Sequence, residues 1–147
     1  MSACTFFGHR ECYGLDTGVL QAAIEDLIAK GVDTFYVGYQ GRFDGLALSC
    51  LESLKPLYPH IRYYVVFAYL PTGKPEQDLY VHCSIYPEEM EIGLPKFAVE
   101  RRNRWMIDRS DYCLCYITHT WGGAYKFVRL AKRKKLAVMN VGNVALQ

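Results

Sequence analysis

The chain has 147 residues, of which 51% are hydrophobic and 22% charged; this excludes a disordered chain and suits one domain spanning 1–147 with a buried core. A net charge of +2 is too mild to imply nucleic-acid binding, and no apolar run approaches the ~18 residues of a membrane span. The N-terminus has no basic segment followed by an apolar one, so no signal peptide is expected and the expected compartment is the cytoplasm.

A short apolar run, Cys4 to Phe7, predicts a strand over Thr5–Phe7 that ends abruptly in Gly8-His9-Arg10. Apolar residues at Val19, Leu20, Ala23, Ile24, Leu27 and Ile28 then predict a helix over Asp16–Lys30, closed by Gly31. Thr34–Val37 is β-branched and aromatic, a buried strand, and runs into Gly38 and Gly41-Arg42-Phe43-Asp44. A helix over Asp44–Leu54 follows, closed by Pro56, and Tyr63–Ala68 reads as a strand covered on both faces. Residues Leu70–Glu91 break the rhythm, with prolines and a glycine bracketing a short strand at Tyr80–Ser84. Pro95 suits the first turn of a helix reaching Arg109. The chain then reads strand Tyr112–Ile117, helix Gly123–Lys134 and strand Leu136–Asn140. Such alternation implies an α/β fold, a doubly wound and mostly parallel sheet with helices on both faces.

Six cysteines invite a disulfide or zinc reading, but none forms a C-x-x-C pair. Cys113 and Cys115 alternate within a strand, facing one side of the sheet, so free buried thiols are expected and no metal site.

Three strand–glycine–helix junctions carry the functional signal. Each puts backbone N–H groups and the positive end of a helix dipole beyond a strand's carboxyl end, where ligands of such sheets bind. In the first, Gly8, His9 and Arg10 leave the strand together, and arginine offers a planar fork matched to phosphate. In the second, Gly38 and Gly41 let backbone approach a ligand; Asp44 is either a plain N-cap or a carboxylate for a ribose hydroxyl or water. In the third, Gly122 and Gly123 offer N–H groups, Thr120 a hydroxyl, and Trp121 or Tyr125 a ring to stack on a base. On the preceding helix, Met106 and Ile107 must face the core, which puts Arg102 and Asn103 at its margin near the cleft. Arg101 and Arg104 suit a solvated face, and Lys132-Arg133-Lys134-Lys135 suits the end of a helix dipole.

At these motifs the chain resembles the SLOG superfamily, Rossmann-like domains related to the "lonely guy" phosphoribohydrolases and to DNA-processing protein A. Within it the likeness is to the small YpsA-like branch. It is carried by Phe7-Gly-His-Arg10, Gly38-x-x-Gly41-x-Phe-Asp44, Arg102-Asn103 with Met106, Ser110-Asp111 and Gly122-Gly123-Ala124, spanning residues 5 to 140. The resemblance implies a Rossmann-like fold and a pocket for a nucleoside monophosphate or an ADP-ribose-like ligand. In the phosphoribohydrolases an arginine four residues before a methionine serves catalysis, a spacing that Arg102 and Met106 match. Their glutamate after the Gly-Gly loop is missing here, where Lys126 to Arg129 stand. The expected function is therefore binding of a nucleotide-derived ligand, as sensor or carrier. N-glycosidic hydrolysis of a nucleoside phosphate is the alternative, with Asp44, Glu100 and Arg102 as candidate catalytic residues. Single-stranded DNA binding, by analogy with DNA-processing protein A, is the second alternative; it calls for a continuous basic groove, and +2 argues against one. Nucleic acid and membrane are thus not expected partners, no cofactor is implied, and homo-oligomerisation stays open. Loss of Arg102 is expected to weaken the ligand while leaving folding intact.

Overall fold

The computed structural model describes residues 2–70, 83–144 and 146. Among the described residues six strands and four α-helices follow in the order β1 (Ser2–Gly8), α1 (Thr17–Ala29), β2 (Val32–Val37), α2 (Arg42–Leu54), β3 (Arg62–Val66), β4 (Ser84–Ile85), α3 (Ala98–Asp108), β5 (Tyr112–Tyr116), α4 (Gly123–Arg133) and β6 (Ala137–Asn140). They form one sheet in the order β4-β3-β2-β1-β5-β6, and every described pairing is parallel. This is the α/β, Rossmann-like architecture the alternation implies.

Period-two alternation on the central strands divides the core between the two faces. Cys4 and Phe6 of β1, Phe35 and Val37 of β2, and Leu114 and Tyr116 of β5 pack with the inner residues of α1 and α2. Phe7, Cys113, Cys115 and Ile117 point the other way, toward Met106 and Ile107 of α3 and Phe127, Val128 and Ala131 of α4. All six cysteines are buried and unpaired, and Cys113 and Cys115 share a face as their spacing requires. Among the described residues no helix is long and apolar enough to cross a membrane.

Asp16 caps α1 by accepting from the Gly18 N–H at 2.7 Å, and Gly31, at φ +101°, lets the chain turn off its end. Several boundaries differ from the sequence expectation, three of them with a clear physical reason. β1 begins at Ser2 rather than Thr5, because Ser2 and Ala3 pair with Val32 and Thr34, a tertiary partner that local composition does not announce. The helix expected from Pro95 opens as a 3₁₀ turn, Pro95–Phe97, before the α-helix starts at Ala98. α2 begins at Arg42, so Asp44 is its third residue and not its cap. Of the strand expected at Tyr80–Ser84, residues 80–82 lie outside the described residues; Ser84 and Ile85 form β4.

Candidate functional site: a cleft at the reversal of strand order

The chain builds outward from β1 through β2, β3 and β4, then returns to place β5 on β1's other side. Helices following β1 and β5 therefore leave toward opposite faces, and a cleft opens between their loops. Phe7 pairs with Cys115 and Gly8 with Tyr116, so both strands end level there. The cleft has a volume of about 560 Å³. Gly8, His9 and Arg10 enter it from the end of β1, Gly38 from the β2–α2 connection, Asp44 from the first turn of α2, Arg102 and Asn103 from α3, Trp121 and Gly122 from the β5–α4 loop and Gly123 from the start of α4. Thr120 and Tyr125 face a second cavity of about 390 Å³ on the outer side of α4, which shares Gly122. Gly41 supports the cleft from behind: a Cβ there would come 2.8 Å from the Arg10 Cα. Glu100 stays outside it, on the surface of α3, accepting from Lys126 Nζ at 3.0 Å.

Two glycines stand at matching places. Gly41, at φ 86° and ψ 171°, precedes α2; Gly122, at φ 94° and ψ 176°, precedes α4. Only glycine adopts this region at low cost. Neither helix start has a side-chain cap, so the first N–H groups of α4 face the mouth of the cleft with the dipole's positive end.

Under the cleft lies a buried polar network. Arg102 donates from Nε to Asn103 Oδ1 at 2.7 Å, from Nη1 to the Val66 carbonyl at 3.0 Å and from Nη2 to Gln40 Oε1 at 3.0 Å. One guanidinium thus ties α3 to the end of β3 and to the β2–α2 loop. Asp44 Oδ2 accepts the Gln40 N–H at 2.9 Å, which fixes the same loop from below. Gly38 separates the two charges; a Cβ there would lie 2.9 Å from Asp44 Oδ2 and 3.1 Å from the Arg102 guanidinium. Burial pushes the Asp44 carboxyl up to about 6, against the lowering pull of Arg102, the Gln40 N–H and Arg10. Burial also lowers Arg102, with Asp44 opposing it.

At the mouth three rings stack in a column. His9 and His119 lie 3.7 Å apart between centroids, and His119 and Trp121 3.8 Å apart. His9 Nε2 accepts the Thr118 N–H at 3.1 Å, so its proton sits on Nδ1 and the ring is neutral. His119 Nδ1 faces the Trp121 carbonyl at 3.0 Å and, since a carbonyl only accepts, is the donor. Trp121 is 69% exposed, leaving its outer face open to a further ring. Burial, and then His119, lower the His9 pKa below its ordinary 6.5. The folded state thus binds fewer protons than the unfolded one just below pH 6.5, and this contribution to stability is lost as pH falls through that window. The His9 Cε1 resonance is expected to titrate below pH 6.5, and His119→Ala to raise its midpoint; a midpoint at or above 6.5 in the wild type contradicts the tied ring.

The sequence did not single out His119, Gln40 or Glu11, all of which line the cleft. Only His119 had a legible signal, its place in a glycine junction facing that of His9. Asn140 was read as a strand end, yet its side chain holds the exit of β5, accepting from the Ile117 N–H at 2.9 Å and donating to the Ile117 carbonyl at 3.2 Å.

No family model matches the chain, and no curated protein matches it. Among solved structures it is similar to DNA processing protein A from Helicobacter pylori, with a TM-score of 0.63 and 17% identity. The likeness covers 95% of this chain and 64% of the other, so this chain spans under two thirds of that protein's length. At that identity the likeness is one of fold. It agrees with the resemblance to DNA-processing protein A at that level and does not reach the YpsA-like branch. The neighbour binds single-stranded DNA. That overturns the expectation that nucleic acid is no partner, since the fold is compatible with such binding and overall charge was the whole ground for excluding it. The physical fault in that ground is segregation of charge. Residues 1–111 hold fifteen acidic and eleven basic residues, whereas residues 112–147 hold six lysines and arginines and no acid. A total of +2 says little about the β5–α4 side of the cleft.

Proposed function

We propose that the cleft binds nucleotide units by their phosphates, with single-stranded DNA the better-supported form of the ligand and a free nucleotide, sensed or carried, the second. What carries the reading is the uncapped, glycine-led start of α4 opening onto a cleft of about 560 Å³ at the reversal of strand order. Phosphate sits against the Gly122–Gly123 backbone, Arg10 neutralises it from the opposite loop, and a base stacks on the open face of Trp121. Arg102 acts from beneath, as a fixed charge that shapes the wall. Single-stranded DNA is favoured by the neighbour of known binding and by a ring column that ends in the exposed Trp121 beside a basic segment. Placement in the YpsA-like branch belongs to this proposal and rests on the shared motifs. The hydrolase alternative is the weaker one: α4 brings no carboxylate to the cleft and Glu100 is held outside it, and Asp44, which does line the cleft, is tied to the Gln40 N–H beside Arg102.

Two titrations test the reading. Fluorescence anisotropy with a labelled twelve-residue oligo-dT is expected to show saturable binding that weakens with salt. Nucleoside monophosphates at a hundred times their dissociation constant are expected to add about 2.7 kcal/mol, or roughly 5–10 °C in Tm, and unphosphorylated nucleosides much less. No binding of either the oligonucleotide or any monophosphate overturns the proposal.

A further inference from the structure

We infer that the cavity on the outer side of α4 is a second phosphate subsite, and that a single-stranded nucleic acid leaves the cleft over Gly122 and runs along this helix. The inference rests on the reading of the cleft as a nucleotide site and adds a direction and a second contact surface to it.

The second cavity measures about 390 Å³ and is lined by Thr120, Gly122, Tyr125, Lys126, Arg129 and Arg133. Three of these six carry positive charge, and none carries negative charge. Lys126, Arg129 and Arg133 follow one another at three- and four-residue steps, so they form one stripe along α4, about 10 Å long at 1.5 Å per residue. The opposite face of the helix, Phe127, Val128, Leu130 and Ala131, is buried in the core, which fixes the stripe outward. Gly122 lines both cavities, so the two adjoin at the start of α4.

Charge complementarity selects the occupant. A surface of spaced cations with no acid across the cavity fits a chain of phosphates. Arg129 lies over the Tyr125 ring at 5.8 Å, which leaves its guanidinium beside an aromatic face as stacking sites for bases require. Lys126 is shared with Glu100 at 3.0 Å, so Arg129 and Arg133 are the stronger contributors to an incoming phosphate. Across the cleft Arg10 is exposed, and behind it Arg42, whose backbone N–H donates to the Arg10 carbonyl, lies over the Tyr13 ring at 5.1 Å. A mononucleotide reaches only the cleft; an oligonucleotide reaches both.

The test compares wild-type protein with the double variant Arg129→Ala/Arg133→Ala, both exposed positions, and with Arg62→Ala, an exposed arginine where β3 begins, at the other end of the sheet. Anisotropy with labelled twelve-residue oligo-dT and oligo-U is read across a salt series, alongside thermal shifts with dTMP. The double variant is expected to bind both oligonucleotides about tenfold or more weakly, with a log Kd against log salt slope lower by roughly 1.4 for two lost phosphate contacts. Its dTMP shift is expected to match wild type, and Arg62→Ala to change none of these. Unchanged oligonucleotide affinity and slope in the double variant overturn the second subsite while leaving the cleft reading standing. Wild-type protein that binds dTMP but no oligonucleotide does the same, and one that binds neither overturns both.

Discussion

Gly8→Ala is expected to destabilise the protein by about 3 kcal/mol, the upper part of the range for overpacking a dense core. The added Cβ would overlap the ring of Phe43 and lie 2.7 Å from its Cβ. Phe43 has nowhere to go: it is 1% exposed, and its ring lies 6.4 Å from that of Phe6 and 6.3 Å from that of Tyr116. Gly8 is therefore the residue that lets α2 lie down on β1, besides opening the cleft. Gly123→Ala is the contrast, because a Cβ there meets nothing within 4 Å and the position is helical. That variant is expected to stay within about 0.5 kcal/mol of wild type. Urea unfolding measures both, and Phe43→Leu in the Gly8→Ala background is expected to recover part of the loss. A Gly8→Ala loss below 0.5 kcal/mol would show that the α2–β1 packing is looser than described.

The same two glycines show how far the sequence could be read. Hydrophobic periodicity and breakers located the four α-helices and the five longer strands of the described residues, since each of those signals is local: a stripe on α1, a proline after α2, alternation along β5. Gly8 was legible as a glycine that ends a strand, but not as one that faces Phe43, thirty-five residues on, because that neighbour exists only once α2 is folded onto β1. Arg102 and Asn103 were placed near the cleft by helix geometry from Met106 and Ile107. Their neighbours Gln40 and Val66 come from other elements, and no spacing rule connects residues 40, 66 and 102. Charge failed for a related reason: a sum over the chain discards position, and the acid-free segment from residue 112 onward stands on one side of the cleft.

Arg102→Ala is expected to cost about 3–5 kcal/mol, the range for removing one member of a buried charged network. This replaces the sequence-based expectation that folding survives its loss. Arg102 is 3% exposed, and three N–H groups of its guanidinium are spent on Asn103, Val66 and Gln40. Truncation leaves two side-chain oxygens and a carbonyl without donors and removes the positive charge that most lowers Asp44. The second effect gives the variant a pH signature. Asp44 titrates near 6 in the folded wild type, above its ordinary 3.8, so its burial penalty grows as pH rises through that interval and is constant above it. Without Arg102 the folded pKa rises further, and the penalty keeps growing above pH 6. The gap in unfolding free energy between wild type and variant is therefore expected to be larger at pH 8 than at pH 5, where Asp44 is mostly protonated in both folded proteins. Arg102→Lys is expected to restore part of the charge and so narrow the pH 8 excess, while recovering little of the pH 5 loss, since an ammonium cannot span three acceptors fixed by a planar fork. A gap of the same size at both pH values would mean that Arg102 and Asp44 do not sense each other across Gly38, and that the network holds the cleft by hydrogen bonds alone.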